Sequence, residues 1–184
     1  MDNGGQWTHR EWRVLKYLGV ESKIIPNTMD PEYFIRENVD GIVLSGGSPS
    51  ISFEDHMLGR LGDYMNLDLP ILGICVGAQF IGKYFGGKVG PANIPEYGKT
   101  EIFVIEKDDL FENLPEKFIA WESHNDEVKE LPEGFLHLAY SQNCKIQAFK
   151  HKNKPIYGVQ FHPEVENTEY GYEIFSNFLK IIKK

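Results

Sequence analysis

Two short apolar runs, each followed at once by glycines, most restrict the fold of this 184-residue chain. The run DGIVLSGG (40–47) ends in a glycine pair, and LPILGICVGAQF (69–80) passes from a strand-like segment into helix-forming residues. A helix-like segment precedes each run, and strands and helices that alternate through short glycine-rich joints are typical of parallel βαβ units. The first half of the chain therefore predicts a parallel sheet with helices packed against it.

The segments around these runs carry helix signals of their own. THREWRVLKYLG (8–19) places Trp12, Leu15 and Leu18 at helical spacing. DPEYFIREN (30–38) opens with Asp30 as a predicted N-cap before a proline. Three further elements are expected in this half: a short strand in VESKIIP (20–26), a helix over 53–66 and a helix from 75 to 85.

The second half is richer in β-forming residues. Five short β-rich runs are separated by breaks such as LPE and KNKP, so we expect antiparallel strands that extend the sheet. The runs are KTEIFVIEK, KFIAWES, FLHLAYS, IQAFKH and PIYGVQF. The closing segment 168–184 predicts a helix with Ile174, Phe178 and Ile181 facing inward. The expected fold class is α/β: one domain over residues 1–184, three layers, with a mixed, mainly parallel sheet flanked by helices.

Charge and composition exclude several functions. The formal net charge of −8 leaves no basic stripe for a phosphate backbone, so we expect no nucleic-acid partner. No apolar run approaches the ~20 residues of a membrane span, and the N-terminus lacks the features of a signal peptide. Cys75 and Cys144 show no spacing that suggests a metal or redox site, so we expect no metal, two free thiols and a cytoplasmic protein. For His124, in the loop ESHND, we expect a structural rather than a catalytic role.

Cys75 lies where an apolar strand gives way to a helix, in the stretch GICVGAQ (73–79). A nucleophile on such an elbow needs small neighbours, which Gly73 and Gly77 provide. The positive end of the following helix would also stabilise a thiolate. A small buried core residue is the alternative reading of Cys75, and the elbow glycines are what favour a nucleophile.

YGVQFHPEV (157–165) supplies a candidate base and its partner. Proline disfavours α conformation in the residue before it, so we expect His162 to stay extended at the end of a strand. Residues two apart share a face of an extended chain, which places the Glu164 carboxylate beside the His162 ring. Cys75, His162 and Glu164 form the predicted catalytic triad, although HPE alone also fits a strand end with a solvated glutamate.

The glycine pair in SGGSPS (45–50) is the predicted oxyanion loop. Adjacent glycines allow backbone N–H groups to point at a developing negative charge. We expect the amides of Gly47 and Val76 to donate to the oxyanion, with Gly46 at the substrate. A nucleotide-binding loop is disfavoured, because SGGSPS has neither the lysine of a P-loop nor G-x-G-x-x-G spacing.

Taken together, GICVGAQ, LSGGSPS and FHPE resemble the class I (triad-type) glutamine amidotransferases over nearly the whole chain. The resemblance implies that Cys75 is the nucleophile, His162 the base and Glu164 the orienting acid of a glutaminase. It also implies that Gln79 contacts the substrate L-glutamine and that the segment with Ser123, Asn125 and Asp126 helps to hold it.

Within the family, DNGGQWTHR, PEYGKTEI and WESHNDEV resemble the branch that delivers ammonia to a separate ATP-pyrophosphatase (synthetase) subunit, which converts xanthosine monophosphate to GMP. The resemblance implies that this partner binds ATP and Mg²⁺ and that this chain needs no cofactor. Three alternatives stay open: the glutaminase of another class I enzyme, such as anthranilate synthase, a stand-alone γ-glutamyl hydrolase, and a non-catalytic regulatory subunit of the same fold.

The chain departs from the family pattern at three places. Ala78 stands where the family usually has histidine, and we expect altered packing there rather than lost activity. Ser48 is an extra residue before the proline of the glycine loop. Only Met1 precedes the segment DNGGQ, where family members have an apolar strand, so we expect the start to be misplaced.

Overall fold

The computed structural model describes all residues from Met1 to Lys184. Its strands are β1 (Ile42–Leu44), β2 (Ile71–Ile74), β3 (Lys88–Val104), β4 (Lys117–Glu130), β5 (Phe135–Tyr140), β6 (Ala148–His151) and β7 (Ile156–Val159). Its α-helices are α1 (Thr8–Tyr17), α2 (Glu32–Arg36), α3 (Leu61–Tyr64), α4 (Val76–Tyr84) and α5 (Gly171–Ile182), with a 3-10 helix over Asp55–Leu58. None of these helices has the length and apolar character needed to cross a membrane.

All seven strands form one sheet in the order β1-β2-β7-β6-β5-β3-β4. Strands β1, β2 and β7 are parallel, with Leu44 opposite Gly73 and Gly73 opposite Gly158. Because the carboxyl ends of parallel strands meet at one edge, the segments after β1, β2 and β7 converge there. These segments contain Gly46, Cys75 and His162.

The other half of the sheet is antiparallel, from β7 through β6, β5 and β3 to β4. β3 and β4 form a long pair whose register shifts between Pro91 and Glu96. The predicted α/β fold with a mixed sheet is confirmed, but only two of its strand pairs are parallel. The run PIYGVQF pairs with β2 in parallel as well as with β6 in antiparallel orientation, so it joins the two halves.

Helices cover both faces of the sheet, as the three-layer prediction requires. Leu72 and Ile74 of β2 pack in one core cluster with Phe178 of α5, whereas Ile71 packs in a second cluster with Ile81 of α4. Successive residues of a strand point to opposite faces, so one strand serves both cores. Ile174, Phe178 and Ile181 are buried as predicted.

Two local predictions need correction, whereas that of the first helix holds. The expected helix over 53–66 is split, because Gly59 adopts φ +59 and a Cβ there would lie 2.5 Å from the backbone oxygen of Asn27. Residues 20–26 form no strand, since their pairing is limited to Asp2, which bonds to Ile25 and bridges to Pro26. Helix α1 forms as predicted: Thr8, Glu11 and Val14 are buried in it, and Leu15 and Leu18 pack half-buried against the core cluster that contains Val14.

Candidate active site

Cys75 occupies the predicted elbow between β2 and α4. Its backbone has φ 51 and ψ −111, a conformation that few residues other than glycine adopt. The flanking glycines are required by packing: a Cβ on Gly77 would lie 2.5 Å from the carbonyl oxygen of Leu44, and one on Gly73 would lie 2.7 Å from that of Gly77. Residues without side chains at 73 and 77 therefore allow the strained turn that presents the Cys75 thiol.

His162 and Glu164 form the predicted pair. Nδ1 of His162 lies 2.7 Å from Oε1 of Glu164, and both side chains are buried. The expected extended chain is wrong here: β7 ends at Val159, and His162 and Glu164 face each other across a turn. The backbone of His162 makes three hydrogen bonds. Its N–H donates to Trp121 O at 3.0 Å, and its carbonyl accepts from Thr168 Oγ1 at 2.6 Å and from the N–H of Val165 at 3.4 Å.

The surroundings of His162 favour its charged form. Burial opposes a charge on the ring, but the Glu164 carboxylate and the neighbouring Cys75 outweigh it and raise the pKa of His162 well above its ordinary value. The second ring nitrogen, Nε2, is buried without a hydrogen-bond partner. The ring is thus arranged to hold a proton taken from a neighbour, with Glu164 stabilising the resulting imidazolium.

The glycine pair packs directly against these side chains. A Cβ on Gly46 would lie 2.9 Å from Cε1 of His162 and 3.5 Å from Cβ of Cys75. The N–H groups of Gly47 and Val76 make no hydrogen bond within the protein. Both residues line the same pocket as Cys75, which is what an oxyanion site formed by their amides requires.

Gln79 lies one turn beyond Cys75 on α4, as predicted. Its Nε2 donates to the carbonyl oxygen of Asp126 at 2.8 Å and to Oε1 of Gln160 at 3.1 Å. A carbonyl can only accept, so this contact fixes which end of the amide is nitrogen. Both amide protons are used, and the Oε1 of Gln79 is left as an acceptor.

The segment ESHND, for which we expected a loop, is part of strand β4, and Ser123, Asn125 and Asp126 reach the site from that strand. The carbonyl of Ser123 lies 3.8 Å from Sγ of Cys75. Asn125 accepts a hydrogen bond from Tyr97, and Oδ2 of Asp126 accepts one from Ser50 at 2.6 Å. Asp126 therefore ties this strand to the segment that follows the glycine pair.

One pocket of about 700 Å³ brings the predicted site together. Every predicted site residue lines it: Gly46, Gly47, Cys75, Val76, Gln79, Ser123, Asn125, Asp126, His162 and Glu164. The pocket has room for an amino acid of the size of glutamine. Ser48 of the glycine loop also lines it, whereas Ala78 of α4 faces away and is buried in a core cluster.

Two residues that pack beside the triad were not predicted as part of the site. Trp7 packs its ring at 74° against His162 with the centroids 4.6 Å apart. Glu11 is buried beside the triad, and burial together with the charge of Glu164 raises its pKa well above the ordinary value. Glu11 is spaced three residues from both Thr8 and Val14, which places the three on one helix face. A charged residue at such a position does not by itself indicate that the face is buried.

Behind the pocket lies a buried polar cluster centred on His124. Nδ1 of His124 lies 2.9 Å from the carbonyl of Asp126, so it carries a proton, and Nε2 lies 2.9 Å from Oε1 of Glu96. Ser141 and Gln147 donate further hydrogen bonds to Glu96. The predicted structural role of His124 agrees with these contacts, which join β3 and β4 next to the site.

The same cluster contains ligand types that a metal could use. Atoms of Glu96, His124 and Cys144 lie within 4.8 Å of one another. The Glu96 carboxylate, however, already accepts hydrogen bonds, and the Cys144 thiol is paired with Ile146 O at 3.4 Å. These contacts satisfy the groups without an ion, and Cys144 itself is a buried core residue.

The fold and the pocket together define a class of protein. The family model of class I glutamine amidotransferases matches residues 1–182, and the chain belongs to this family. A glutamine amidotransferase from Thermotoga maritima, 21% identical, superposes with a TM-score of 0.74 over 94% of this chain and 75% of its own, which supports the fold alone.

More similar relatives carry a more specific name. The chain is 52% identical to a protein of Thermoplasma volcanium named as a subunit of glutamine-hydrolyzing GMP synthase, over 100% of this chain and 91% of the relative. It is 54% identical to the protein of the same name from Pyrococcus abyssi, over 98% and 96% of the two chains. A solved structure of a GMP synthase subunit from Thermoplasma acidophilum has a TM-score of 0.94 and 52% identity, covering 100% of this chain and 92% of that one.

Proposed function

We propose that this chain is the glutaminase subunit of a two-subunit GMP synthase. The observation that carries the proposal is the near-complete match, at 52–54% identity, to relatives named as a subunit of glutamine-hydrolyzing GMP synthase. The arrangement of Cys75, His162 and Glu164 in one pocket supports the chemistry that this name implies.

In the proposed reaction His162 takes the proton of Cys75, and the thiolate attacks the side-chain amide carbon of glutamine. The amides of Gly47 and Val76 donate to the oxyanion that forms. His162 then returns the proton to the leaving nitrogen, which departs as ammonia and leaves a γ-glutamyl thioester. His162 next deprotonates water, which attacks the thioester carbonyl. The C–S bond breaks, glutamate is released, and the sulfur of Cys75 takes the proton back from His162.

The substrate would lie between α4 and β4. Gln79 offers an acceptor, and Ser123, Asn125 and Asp126 offer polar groups from the opposite wall. Glu164 orients His162 and stabilises its imidazolium without exchanging the proton. Position 46 requires glycine, because a side chain there would collide with the His162 ring.

The ammonia would pass to an ATP-pyrophosphatase subunit that aminates xanthosine monophosphate to GMP. ATP and Mg²⁺ belong to that partner, and this chain needs no cofactor for hydrolysis. We propose the cytoplasm as the compartment, because both cysteines are buried and unpaired, as in a reducing environment.

Reconstitution with the synthetase subunit tests this proposal. GMP formation from xanthosine monophosphate and ATP is measured with glutamine or with ammonium as the nitrogen source. The wild-type complex should use both, and the Cys75→Ala complex should use ammonium only. A complex that uses only ammonium even with the wild-type chain would contradict the proposal.

A further inference from the structure

A buried serine next to the glycine pair holds the peptide that joins Gly46 to Gly47. Ser45 is fully buried, and its Oγ has two partners. It accepts the N–H of Asn3 at 2.9 Å and lies 2.8 Å from the carbonyl oxygen of Gly46. Because the N–H of Asn3 can only donate, the single hydroxyl proton of Ser45 is left for the Gly46 carbonyl. Ser45 therefore donates to that carbonyl.

The direction of this carbonyl sets the direction of the next amide. In a planar trans peptide the C=O and N–H groups point to opposite sides. With the Gly46 carbonyl held by Ser45, the N–H of Gly47 points away from Ser45, and it has no partner within the protein. Rotation of this peptide would replace a donor by an acceptor beside the triad, where an oxyanion needs donors.

The N-terminal segment keeps Ser45 in place. Nδ2 of Asn3 donates to the carbonyl of Ser45 at 2.8 Å, and Oδ1 of Asn3 accepts from Asn27 at 3.2 Å. Asn3 therefore binds Ser45 twice: its backbone N–H donates to the Ser45 hydroxyl, and its side-chain amide donates to the Ser45 carbonyl. The packing is also close, because a Cβ on Gly47 would lie 2.3 Å from the carbonyl oxygen of Asn3.

A second contact holds the other side of the glycine pair. The N–H of Gly46 donates to Oε1 of Glu11 at 3.4 Å, from α1. Two neighbouring peptides are therefore restrained by different elements, one by Ser45 and one by Glu11. Of the two contacts, that of Ser45 acts on the peptide that carries the Gly47 N–H.

We propose that Ser45 is a positioning residue for glutamine hydrolysis. Its hydroxyl, anchored by Asn3, holds the Gly46 carbonyl so that the N–H of Gly47 faces the developing oxyanion. The inference rests on the proposed glutaminase function, since the oxyanion forms only when the Cys75 thiolate attacks a carbonyl. Ser45 does not line the pocket that contains Cys75, and it acts through the orientation of one peptide.

Two reactions of Cys75 separate this role from a general structural one. Glutamine hydrolysis passes through an oxyanion. Alkylation by iodoacetamide does not, because the thiolate displaces iodide at a saturated carbon: the C–S bond forms as the C–I bond breaks, and iodide leaves with the electron pair. A residue that positions the oxyanion donor should affect the first reaction and not the second.

The test compares Ser45→Ala with the wild-type chain, each in complex with the synthetase subunit. Removal of an oxyanion donor outright costs about 10²–10³-fold in kcat, and loss of one restraining hydrogen bond should cost a part of this, about five- to tenfold. We expect that fall in kcat for glutamine, with KM and the iodoacetamide rate within about twofold of the wild type. Both effects combine in one ratio, that of kcat for glutamine to the rate of alkylation, which Ser45→Ala should lower. Ser45→Cys, which keeps the volume and has a weaker donor, should lower this ratio of turnover to alkylation as well.

Ser141→Ala is a matched control, because Ser141 is also buried, accepts a backbone N–H, from Cys144 at 3.1 Å, and donates to an oxygen of Glu96 at 2.7 Å. It should leave the ratio of turnover to alkylation unchanged. An equal fall of turnover and alkylation in Ser45→Ala, or no change in either, would overturn the positioning role. Ser45→Cys decides the matter by the same ratio if the alanine variant does not fold. Absence of glutamine turnover in the wild-type complex would instead reject the proposed function.

Discussion

Nδ1 of His162 and Oε1 of Glu164 lie 2.7 Å apart across a turn that follows β7. The carboxylate fixes the ring orientation and stabilises the imidazolium, while Nε2 stays free for proton transfer. The division of roles between the two side chains leads to the first prediction.

His162→Asn should lower kcat for glutamine by several orders of magnitude, because proton transfer is lost in both half-reactions. Glu164→Gln should cost less, since it removes the charge that raises the pKa of His162 but keeps the side chain. A pH profile of kcat/KM for Glu164→Gln should show the limb of His162 at lower pH than in the wild type. Equal losses in the two variants would contradict this ranking.

A glutamine-like chloroketone should label Cys75 once per chain and spare Cys144. Cys75 borders the pocket, whereas Cys144 is fully buried and burial raises the pKa of its thiol, which keeps it protonated and unreactive. Peptide mapping by mass spectrometry gives the site. Labelling chiefly at Cys144 would show that the nucleophile is wrongly assigned.

Glu122→Gln should change how stability depends on pH. Burial and the charge of Glu96 raise the pKa of Glu122 well above its ordinary value of 4.5. Above that pH the unfolded chain loses a proton that the folded chain keeps, so the wild type loses stability as pH rises towards the folded pKa, by up to about 1.4 kcal/mol per pH unit. The glutamine variant does not titrate at this position.

Urea unfolding at several pH values from about 4.5 to about 8 checks the prediction for Glu122, a range that starts at the ordinary pKa of a glutamate. The difference in unfolding free energy should move in favour of Glu122→Gln with increasing pH. Glu21→Gln serves as the control, because Glu21 is exposed and forms no ion pair. A difference that is constant over this range would mean that Glu122 ionises in the folded protein as it does in the unfolded one.

Gly77→Ala should destabilise the protein although alanine favours a helix by about 1 kcal/mol over glycine. The new Cβ would lie 2.5 Å from the carbonyl oxygen of Leu44, a backbone atom that cannot turn aside. Overpacking of this kind costs about 1–3 kcal/mol. Gly62→Ala is the comparison, since its Cβ would meet nothing closer than 3.5 Å. Thermal unfolding should show a lower Tm for Gly77→Ala only.

The isolated chain should be a poor glutaminase. Hydrolysis without a synthetase would waste glutamine. The contacts of Ser45 and Glu11 restrain the Gly46–Gly47 peptide without fixing it, and we expect it to leave the donor orientation in most molecules of the isolated chain. An oxyanion donor is worth roughly 3 kcal/mol, or about a hundredfold in rate. Adding the partner with ATP and xanthosine monophosphate should therefore raise kcat far more than it lowers KM. Full kcat in the isolated chain would favour a stand-alone glutaminase.

The parts of the site that lie close together in the chain were predictable from sequence. The glycines around Cys75 indicated the elbow, and the spacing of His162 and Glu164 indicated their pairing. The prediction placed that pair on an extended strand, and the turn that forms it instead depends on Thr168 and Trp121, which contact the backbone of His162.

Contacts between distant segments could not be predicted in the same way. The cluster of Glu96, His124 and Ser141 joins segments far apart in the chain. The burial of Glu11 was not predicted, because this part of α1 packs against the polar edge of the sheet that carries the triad. There the side chain of Glu11 accepts a hydrogen bond from the N–H of Gly46. Apolar periodicity reports on helix faces that meet an apolar core and does not detect such a face.

Release of glutamate and ammonia from glutamine tests the central claim most directly. The measurement uses the chain in complex with the synthetase subunit, ATP and xanthosine monophosphate, and compares the wild type with Cys75→Ala. We predict glutamate from the wild type at a steady rate, with one nitrogen delivered per glutamate, and none above background from Cys75→Ala. Glutamate formation at the same rate by Cys75→Ala would contradict the account.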